Sequence, residues 1–531
     1  MRSGSSPRTP ACPGTDEVRR RGRKGSVTMS MALLFLAFSV LGLSMLRLSQ
    51  IHLKASAGRK GSMLLDYASE NGIKAGLESV GGLVDGAGRL AEIAPDRFVE
   101  YREDALRSGT MIAADFLGWG FPREDRETWE GSAWSFVVTC PEVRAEDRGE
   151  YVSVTYGIRI DAEGSLSGFR QKRDSSCSAS LVAMAGRLPL PFIPLLVDKE
   201  IAPSDRDGFM TANRITLRTR PGEIPPRLQA GGNPLIPGDA LSQMAKALRI
   251  DVFRPEDLNE AVLRRALGLE PSSDPVPDGV YLIHDDLGLG GVFVMGDVAE
   301  MVVAIDGRFQ VVHFAAGTGE WTLRFSPALC RTEFRGPEGL ETFDLVPAGI
   351  ICVNGAIERL GGGVVEATGE IRMVTDEAVP SILDGVGLTI VASERVAISS
   401  HLYSEGVRWR DGIPYLTDSN SQTVIFATGK DLLDGHVTGG EIAVAEGAPR
   451  DLTVQASLVA SGAGFIVEGK DKAIELLGGL QASEIAMNGN ALAISTDPSF
   501  GGGRTAPEGT PLTAVPLRYI AAFRVVEWRE Y

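Results

Sequence analysis

One uncharged apolar segment near the N-terminus limits what this chain can fold into. It runs for twenty residues from Val27 to Leu46, VTMSMALLFLAFSVLGLSML. At about 1.5 Å per residue, a helix of this length spans about 30 Å, the thickness of the hydrocarbon core of a bilayer. The polar side chains in the segment are serine and threonine, which can bond to carbonyls of their own helix. We therefore expect a membrane-spanning helix, with Val27, Leu34, Leu41 and Leu46 as anchor residues.

The charges that flank the apolar segment predict its orientation. Five Arg and Lys residues crowd positions 19–24, whereas four are spread over residues 47–60. Because basic residues concentrate on the cytoplasmic side of a membrane, the N-terminus is expected in the cytoplasm. The sequence thus predicts a single-pass membrane protein with most of its chain outside the cytoplasm, in the periplasm or at the cell surface.

A cleaved secretory signal peptide is the alternative interpretation of this segment. Ala55-Ser56-Ala57 has the small residues of a cleavage site. The apolar run is longer than a usual signal core, however, and charged residues separate it from that site. These features favour an uncleaved anchor.

The junction between the basic leader and the apolar run has a pattern of its own. Residues 21–29 read RGRKGSVTM, a basic stretch that ends in Gly25 directly before the apolar helix. This arrangement resembles the class III signal of type IV pilins and pseudopilins. The resemblance implies that a prepilin peptidase cuts after Gly25 and that the mature chain begins at Ser26. It also implies that the helix stays intact as a membrane anchor and packs with other pilin-like subunits.

Residues 48–80 are similar to the stem of PilX-type minor pilins, and the resemblance covers about residues 19–80 of the chain. This stretch is predicted as a weakly amphipathic helix, with Leu64, Ala68 and Ala75 on one face. Glycine lowers helix stability, and four glycines occur here: Gly58, Gly61, Gly72 and Gly76.

One residue departs from the pattern of major pilins. Major pilins carry Glu at the fifth mature position, where it can pair with the N-terminal amine of a neighbouring subunit. Cleavage after Gly25 places Ser30 there. The departure argues against a major pilin and is compatible with the minor class.

The rest of the chain is predicted to be α+β and mainly β. Strand patterns cover residues 135–140 and 151–160, a turn is predicted at 161–164, and two short helices are predicted at 240–249 and 255–268. Short apolar runs separated by Gly, Asp or Asn fill residues 280–480, with a hairpin signal at Asp306-Gly307. This tract predicts an irregular β-sandwich or a β-helix-like domain.

The expected domains follow from these patterns. They are a basic leader (1–25), a transmembrane and stem helix (26–80), a mixed α+β region (81–219), a Pro-rich linker with short helices (220–279) and a β-rich domain (280–531).

The cysteines allow a disulfide in an extracytoplasmic compartment. None of the five has CxxC spacing, which argues against zinc or redox motifs. Cys140 and Cys177 flank a predicted strand hairpin, and we expect a disulfide between them. Buried free thiols remain the alternative.

Residue clusters with catalytic potential are few. His284-Asp285-Asp286 and the pair Asp431 and Asp434 are interpreted as polar turns, and no nucleophile elbow, phosphate loop or zinc-protease motif occurs. His313 and His401 lie in apolar runs typical of strands. The sequence predicts no enzyme, no cofactor and no metal site.

Charge disfavours one class of partner. The net charge is −16, and because the first 25 residues carry +5, the remaining chain carries −21. An acidic body repels phosphate, so nucleic acid is not an expected partner.

Three functions stay open at this point. The leading one is a structural, minor pilin-like component whose partners are the lipid bilayer, a prepilin peptidase and other pilin-like subunits. The alternatives are a membrane-tethered β-helix that binds or acts on polysaccharide, and a plain single-pass surface protein.

Overall fold

The computed structural model describes residues 26–87, 91–109, 123–129, 132–167, 170–190, 193, 195–197, 201, 205–218, 229–230, 240–250, 259–270, 272, 274–285, 288–317, 319–410, 413–416, 420–433, 435–495, 506–513 and 516–530. The basic leader lies outside these ranges. The described residues form five α-helices: α1 (Ser26–Ala87), α2 (Pro95–Arg107), α3 (Arg206–Ala212), α4 (Ala240–Ala247) and α5 (Glu260–Ala266).

An antiparallel sheet of six strands forms a first unit, which we call the head. Its strands, in spatial order, are β1 (Ala91–Glu92), β30 (Leu517–Glu530), β5 (Lys172–Gly186), β4 (Tyr151–Leu166), β3 (Ser132–Asp147) and β2 (Arg123–Trp129). Alternate residues of β4 point to one face and are buried there, among them Val154, Tyr156 and Ile158. The second half of α1 packs on this face together with α2, whose Tyr101 and Ala105 join the same core, so the head is two helices packed on one sheet.

The turn predicted at residues 161–164 is wrong. β4 continues through these residues to Leu166 and pairs with β3 and β5 along its length. Ala162 is buried, and Gly164 lies against the backbone of α1. Burial under the helix therefore keeps this polar stretch extended.

The head is interrupted in sequence by a large insertion. β5 and β30 are adjacent in the sheet, yet residues 187–516 separate them in the chain. The predicted β-rich domain at 280–531 is therefore wrong at its C-terminal end, because β30 belongs to the head. It is also wrong at its start, because β6 (Leu195–Val197), β7 (Ile215–Arg218) and β8 (Gln229–Ala230) join the sheets of the insertion.

The insertion is a parallel β-helix, which decides between the two predicted β architectures. Two sheets of eleven strands run side by side, and the chain passes alternately from one to the other. Besides β6, β7 and β8, the first sheet contains β9 (Gly279–Asp285), β10 (Gly288–Met295), β16 (Ile350–Asn354), β19 (Gly387–Ala392), β23 (Gln422–Ala427), β25 (Asp451–Ala460), β27 (Ala473–Ala482) and β29 (Ala491–Ser495). The second contains β11 (Val298–Asp306), β12 (Phe309–Ala316), β13 (Gly319–Ser326), β14 (Arg331–Gly336), β15 (Gly339–Phe343), β17 (Ile357–Val365), β18 (Ile371–Met373), β20 (Val396–Ile398), β24 (Glu441–Val444), β26 (Gly464–Val467) and β28 (Ile485–Ala486). A separate hairpin is formed by β21 (Val407–Arg410) and β22 (Ile413–Leu416).

Stacked aliphatic side chains form the interior of the β-helix. In the first sheet, Ile351, Ile390, Ile425, Leu458 and Leu480 are successive parallel partners, and all five are buried in one core. Each coil adds one residue to this ladder, so the apolar runs of the sequence become layers of the core. The predicted hairpin at Asp306-Gly307 is confirmed between β11 and β12.

The β-helix has a third face because β25 and β27 are long enough to bend and contribute to two neighbouring faces. β23 pairs with the second half of β25, whereas Leu402 bridges to Val454 in its first half. β27 similarly pairs with β29 through its first half and with β6 through its second. Gly478 lies at this bend with φ +153°, a conformation that favours glycine.

Other elements cover the ends and one outer face of the β-helix. Phe209 and Met210 of α3 pack against the core at one end, and Trp321 of the β12–β15 meander packs at the other. α4 and α5 lie on the outside of the first sheet, where Leu248 and Leu263 join an apolar cluster. The helix predicted at 240–249 is confirmed and ends at Ala247, and the one predicted at 255–268 is confirmed over Glu260–Ala266, with residues 255–258 outside the described residues. The Asn259 side chain caps α5 by accepting a hydrogen bond from Val262 N (3.1 Å).

Two chain segments connect the head to the β-helix, and they pair with each other. Leu190 N donates to Pro511 O (3.0 Å), and Thr513 N donates to Leu188 O (2.9 Å). Leu188 N in turn donates to Thr513 Oγ1 (3.0 Å), and Val424 of β23 packs in one apolar cluster with Leu188. We call this paired segment the neck, and its hydrogen bonds fix the two connections side by side.

Substitution Thr513→Val tests the neck. The change keeps the side-chain shape but removes the acceptor for Leu188 N at a fully buried position. A buried donor left unpaired costs about 1–3 kcal/mol, so the thermal unfolding midpoint of the full chain should fall by several degrees. Thr342→Val on the exposed strand β15 is the control and should change stability by less than about 0.5 kcal/mol. Equal midpoints for the two variants would contradict a structural role for the neck bond.

Candidate functional site: the N-terminal helix

The first half of α1 stands clear of the rest of the described structure. Every residue from Met31 to Lys60 is exposed, including the predicted anchor residues Leu34, Leu41 and Leu46. The side chain of Val27 lies outside the described residues. By length and composition, this helix contains an apolar stretch able to cross a membrane, and none of that stretch is buried by the protein. The Ser44 hydroxyl donates to Val40 O (2.7 Å), so this polar group is satisfied within the helix.

The second half of α1 is the part that the head buries. Its buried positions recur every three or four residues, as expected for one helix face, and are Gly61, Leu65, Ala68, Ser69, Gly72, Ile73, Gly76 and Val80. The predicted face was wrong by one residue at its start, because Leu64 is exposed and Leu65 is buried. Ala75 is only partly buried.

Glycines set how closely α1 approaches the sheet. A Cβ atom at Gly72 would lie 2.8 Å from Ala162 Cβ, and one at Gly76 would lie 2.6 Å from Ile160 Cγ2. From the sheet side, a Cβ at Gly164 would lie 2.5 Å from Ser69 N. These distances are too short for a carbon atom, so the contact requires glycine on both surfaces. Gly72 and Gly76, which weaken the helix in isolation, are therefore the residues that allow it to pack on the sheet. Their four-residue spacing is the sequence feature that could have predicted this close contact.

Polar contacts mark the point where α1 leaves the head. Ser175 Oγ donates to Ser69 Oγ (2.9 Å), and Arg173 Nε lies 2.9 Å from Asp66 Oδ1. The ion pair is partly exposed and contributes little stability by itself. Together the contacts join the part of α1 that follows its exposed half to the first residues of β5.

The predicted disulfide between Cys140 and Cys177 is wrong, because both thiols are free. Cys140 lies at a bulge in β3, Cys177 lies in β5, and β4 runs between them. Two strand spacings separate their backbones by about 10 Å, beyond the reach of a disulfide. Burial raises the pKa of the Cys177 thiol to about 11.

The other polar candidates have ordinary structural surroundings. The exposed His284 ring contacts Phe343, with ring centres 5.6 Å apart, and Asp286 lies outside the described residues. His313 Nδ1 is 3.3 Å from Thr322 Oγ1. His401 Nδ1 accepts from Thr453 N (3.2 Å), and burial lowers the pKa of this imidazole.

Asp431 shapes a loop of the β-helix. Its carboxylate accepts hydrogen bonds from Asn354 Nδ2 (3.0 Å) and from Leu433 N (2.8 Å). Asp434 lies outside the described residues. Within the ranges that the structure describes, no three His, Cys, Asp or Glu side chains are grouped to hold a metal ion.

Comparisons with known proteins return no match: no family model, no curated protein and no solved structure is detectably similar to this chain.

Alanine substitutions at two glycines of α1 test the close contact. Gly72→Ala should lower the stability of the head by about 1–3 kcal/mol, because its methyl group meets Ala162 Cβ, which cannot rotate away. Gly58→Ala is the matched control in the same helix, where a Cβ meets nothing within 4 Å. Alanine should favour the helix there by up to about 1 kcal/mol. Thermal unfolding of both variants measures the difference, and effects of the same sign and size would contradict glycine-mediated packing.

Cysteine alkylation tests the correction to the disulfide. In the native protein at about pH 8, Cys330 should react first because it is exposed, whereas the buried Cys177 and Cys352 should react last. In protein unfolded without reductant, all four described cysteines should be labelled, as read by peptide mass spectrometry. Protection of Cys140 and Cys177 that disappears only after reduction would restore the bridge.

Proposed function

We propose that this chain is a membrane-anchored, extracytoplasmic structural component of a pilin-type filament. The observation that carries the proposal is the division of α1 into an exposed apolar half and a half packed on the head. A helix that serves as anchor, stem and packing surface for neighbouring subunits needs both halves in one continuous element. The long exposed apolar surface is costly in water and favours burial in lipid or against other apolar helices.

The processing step follows from the family resemblance. Ser26, which cleavage after Gly25 would leave as the first residue, lies within α1. Removal of the leader would delete five basic residues at positions 19–24 and free the apolar helix for lateral packing. A prepilin peptidase is thus the first proposed partner.

The position in a filament is proposed to be one of low copy number. Ser30 lacks the carboxylate that a neighbouring amine would seek, which weakens repeated addition of identical subunits. The head also carries the β-helix on its paired neck, so successive copies at close axial spacing would bring bulky insertions into collision. A place at the tip, or a role in starting assembly, satisfies both constraints.

Immunogold labelling of sheared filaments tests the position. We expect label at filament ends and fewer filaments in a strain that lacks the chain. Label spaced along the shaft would contradict the tip position, and filaments of normal number and length in the deletion strain would remove the initiation role.

Substitution Ser30→Glu tests the reason for low copy number. It restores the carboxylate, so incorporation along the shaft should increase while the thermal stability of the protein stays unchanged. Ser39→Glu is the control, since it adds the same charge within the apolar run at a position without that proposed partner. Equal incorporation of Ser30→Glu and the unmodified chain would contradict the role given to Ser30.

A second candidate function is supported by the β-helix itself. The sequence suggested this scaffold for a tethered polysaccharide-binding protein, and the parallel coils described above fit it. The exposed aromatics of the β21–β22 hairpin do not form one platform, because Trp409 pairs with Pro414 and Tyr415 pairs with Arg408, which places the rings on opposite faces. Binding to an array of envelope polysaccharides by the full chain would support this candidate, and its absence across the array would remove it.

A further inference from the structure

The segment of α1 between the apolar run and the head has an unusual charge pattern. It contains four cations, Arg47, Lys54, Arg59 and Lys60, and no acidic residue occurs between Glu17 and Asp66. All four side chains are exposed. The chain from Asp66 to its end carries a net charge of −25. A short cationic segment thus separates an apolar helix from a strongly acidic body.

Helix geometry gives the height of each cation above the lipid. If the hydrocarbon core ends near Leu46, Arg47 lies about 1.5 Å beyond it and Lys54 about 12 Å beyond it. The headgroup layer is about 5–7 Å thick on each side of the core. Arg47 is then within the headgroups, and Lys54 is within one Debye length of them. Arg59 and Lys60 stand about 20 Å from the core, beyond that range.

The two lower cations also share one side of the helix. Arg47 and Lys54 are seven residues apart, which is close to two full turns. Their long side chains can extend toward the membrane surface while their stems stay on the helix.

The upper part of the segment sets the distance between the membrane and the acidic body. The first buried residue of α1 is Gly61, fifteen residues after Leu46, which corresponds to about 22 Å of helix. This distance exceeds two Debye lengths at physiological salt, so the acidic body is held beyond the range at which an anionic surface repels it.

We propose that Arg47 and Lys54 form a binding site for the phosphate headgroups of anionic lipids in the leaflet from which α1 emerges. The segment from Arg47 to Lys60 then acts as a cationic spacer, which binds the membrane at its lower end and keeps the acidic body away from it. This inference rests on the proposed membrane anchoring of α1 and does not depend on the filament.

Lipid selectivity of the full chain tests the site. The protein is reconstituted into bilayers of phosphatidylcholine mixed with phosphatidylglycerol, and spin-labelled analogues of each lipid report which is immobilised at the protein. We expect phosphatidylglycerol to be preferred by roughly fivefold for each cation near the surface, with the preference decreasing as salt is added.

Two double variants with the same loss of charge separate position from net charge. Arg47→Gln with Lys54→Gln should abolish the preference, whereas Arg59→Gln with Lys60→Gln should retain it. Equal immobilisation of the two lipids by the unmodified chain, or equal losses in both variants, would overturn the inference alone. Failure of the chain to insert into bilayers would overturn the anchoring and the inference together.

Discussion

The close contact between the second half of α1 and the head sheet is the interaction on which the rest of the structure depends. Glycines on both surfaces bring the helix backbone against β4, where Gly164 lies against the backbone nitrogen of Ser69. The sheet therefore positions a helix whose exposed half extends well beyond the head. If this contact loosened, the apolar half would lose its fixed direction relative to the body that it carries.

The insertion of the β-helix between β5 and β30 follows from the same sheet. Because these strands are antiparallel neighbours, the end of one and the start of the other lie together at one edge of the head. Both connections therefore leave from one place and pair as the neck. β30 follows the β-helix in the sequence, so the head sheet combines strands from both sides of the insertion.

Local patterns predicted the elements that depend on local physics. The uncharged run from Val27 to Leu46 predicted α1, the glycine turn at Gly307 predicted a hairpin, and the patterns at 240–249 and 255–268 predicted α4 and α5. The apolar runs between residues 280 and 480 became strands because each coil buries the same kind of residue in one column. The choice of a β-helix over a sandwich depended on parallel register, which no single run encodes.

The features that the sequence did not predict depend on contacts between distant residues. The stretch after Ile160 reads as a turn from its Asp, Glu and Gly, but burial of Ala162 beneath α1 keeps it in β4. Cys140 and Cys177 are expected to meet because they flank a predicted hairpin, but β4 runs between their strands and keeps them apart. The return of β30 to the head has no local signal, because strand propensity does not identify a partner 330 residues away.

The central claim is that α1 is at once a processed membrane anchor and the stem of the head, and the mature N-terminus of the membrane-bound protein tests it most directly. Mass spectrometry of the chain from salt-washed native membranes should find Ser26 as the first residue. An intact Met1 would contradict the processing by a prepilin peptidase. A start at Gly58 would mean that the apolar half of α1 is removed as a signal sequence, and the account of the helix as an anchor would fail.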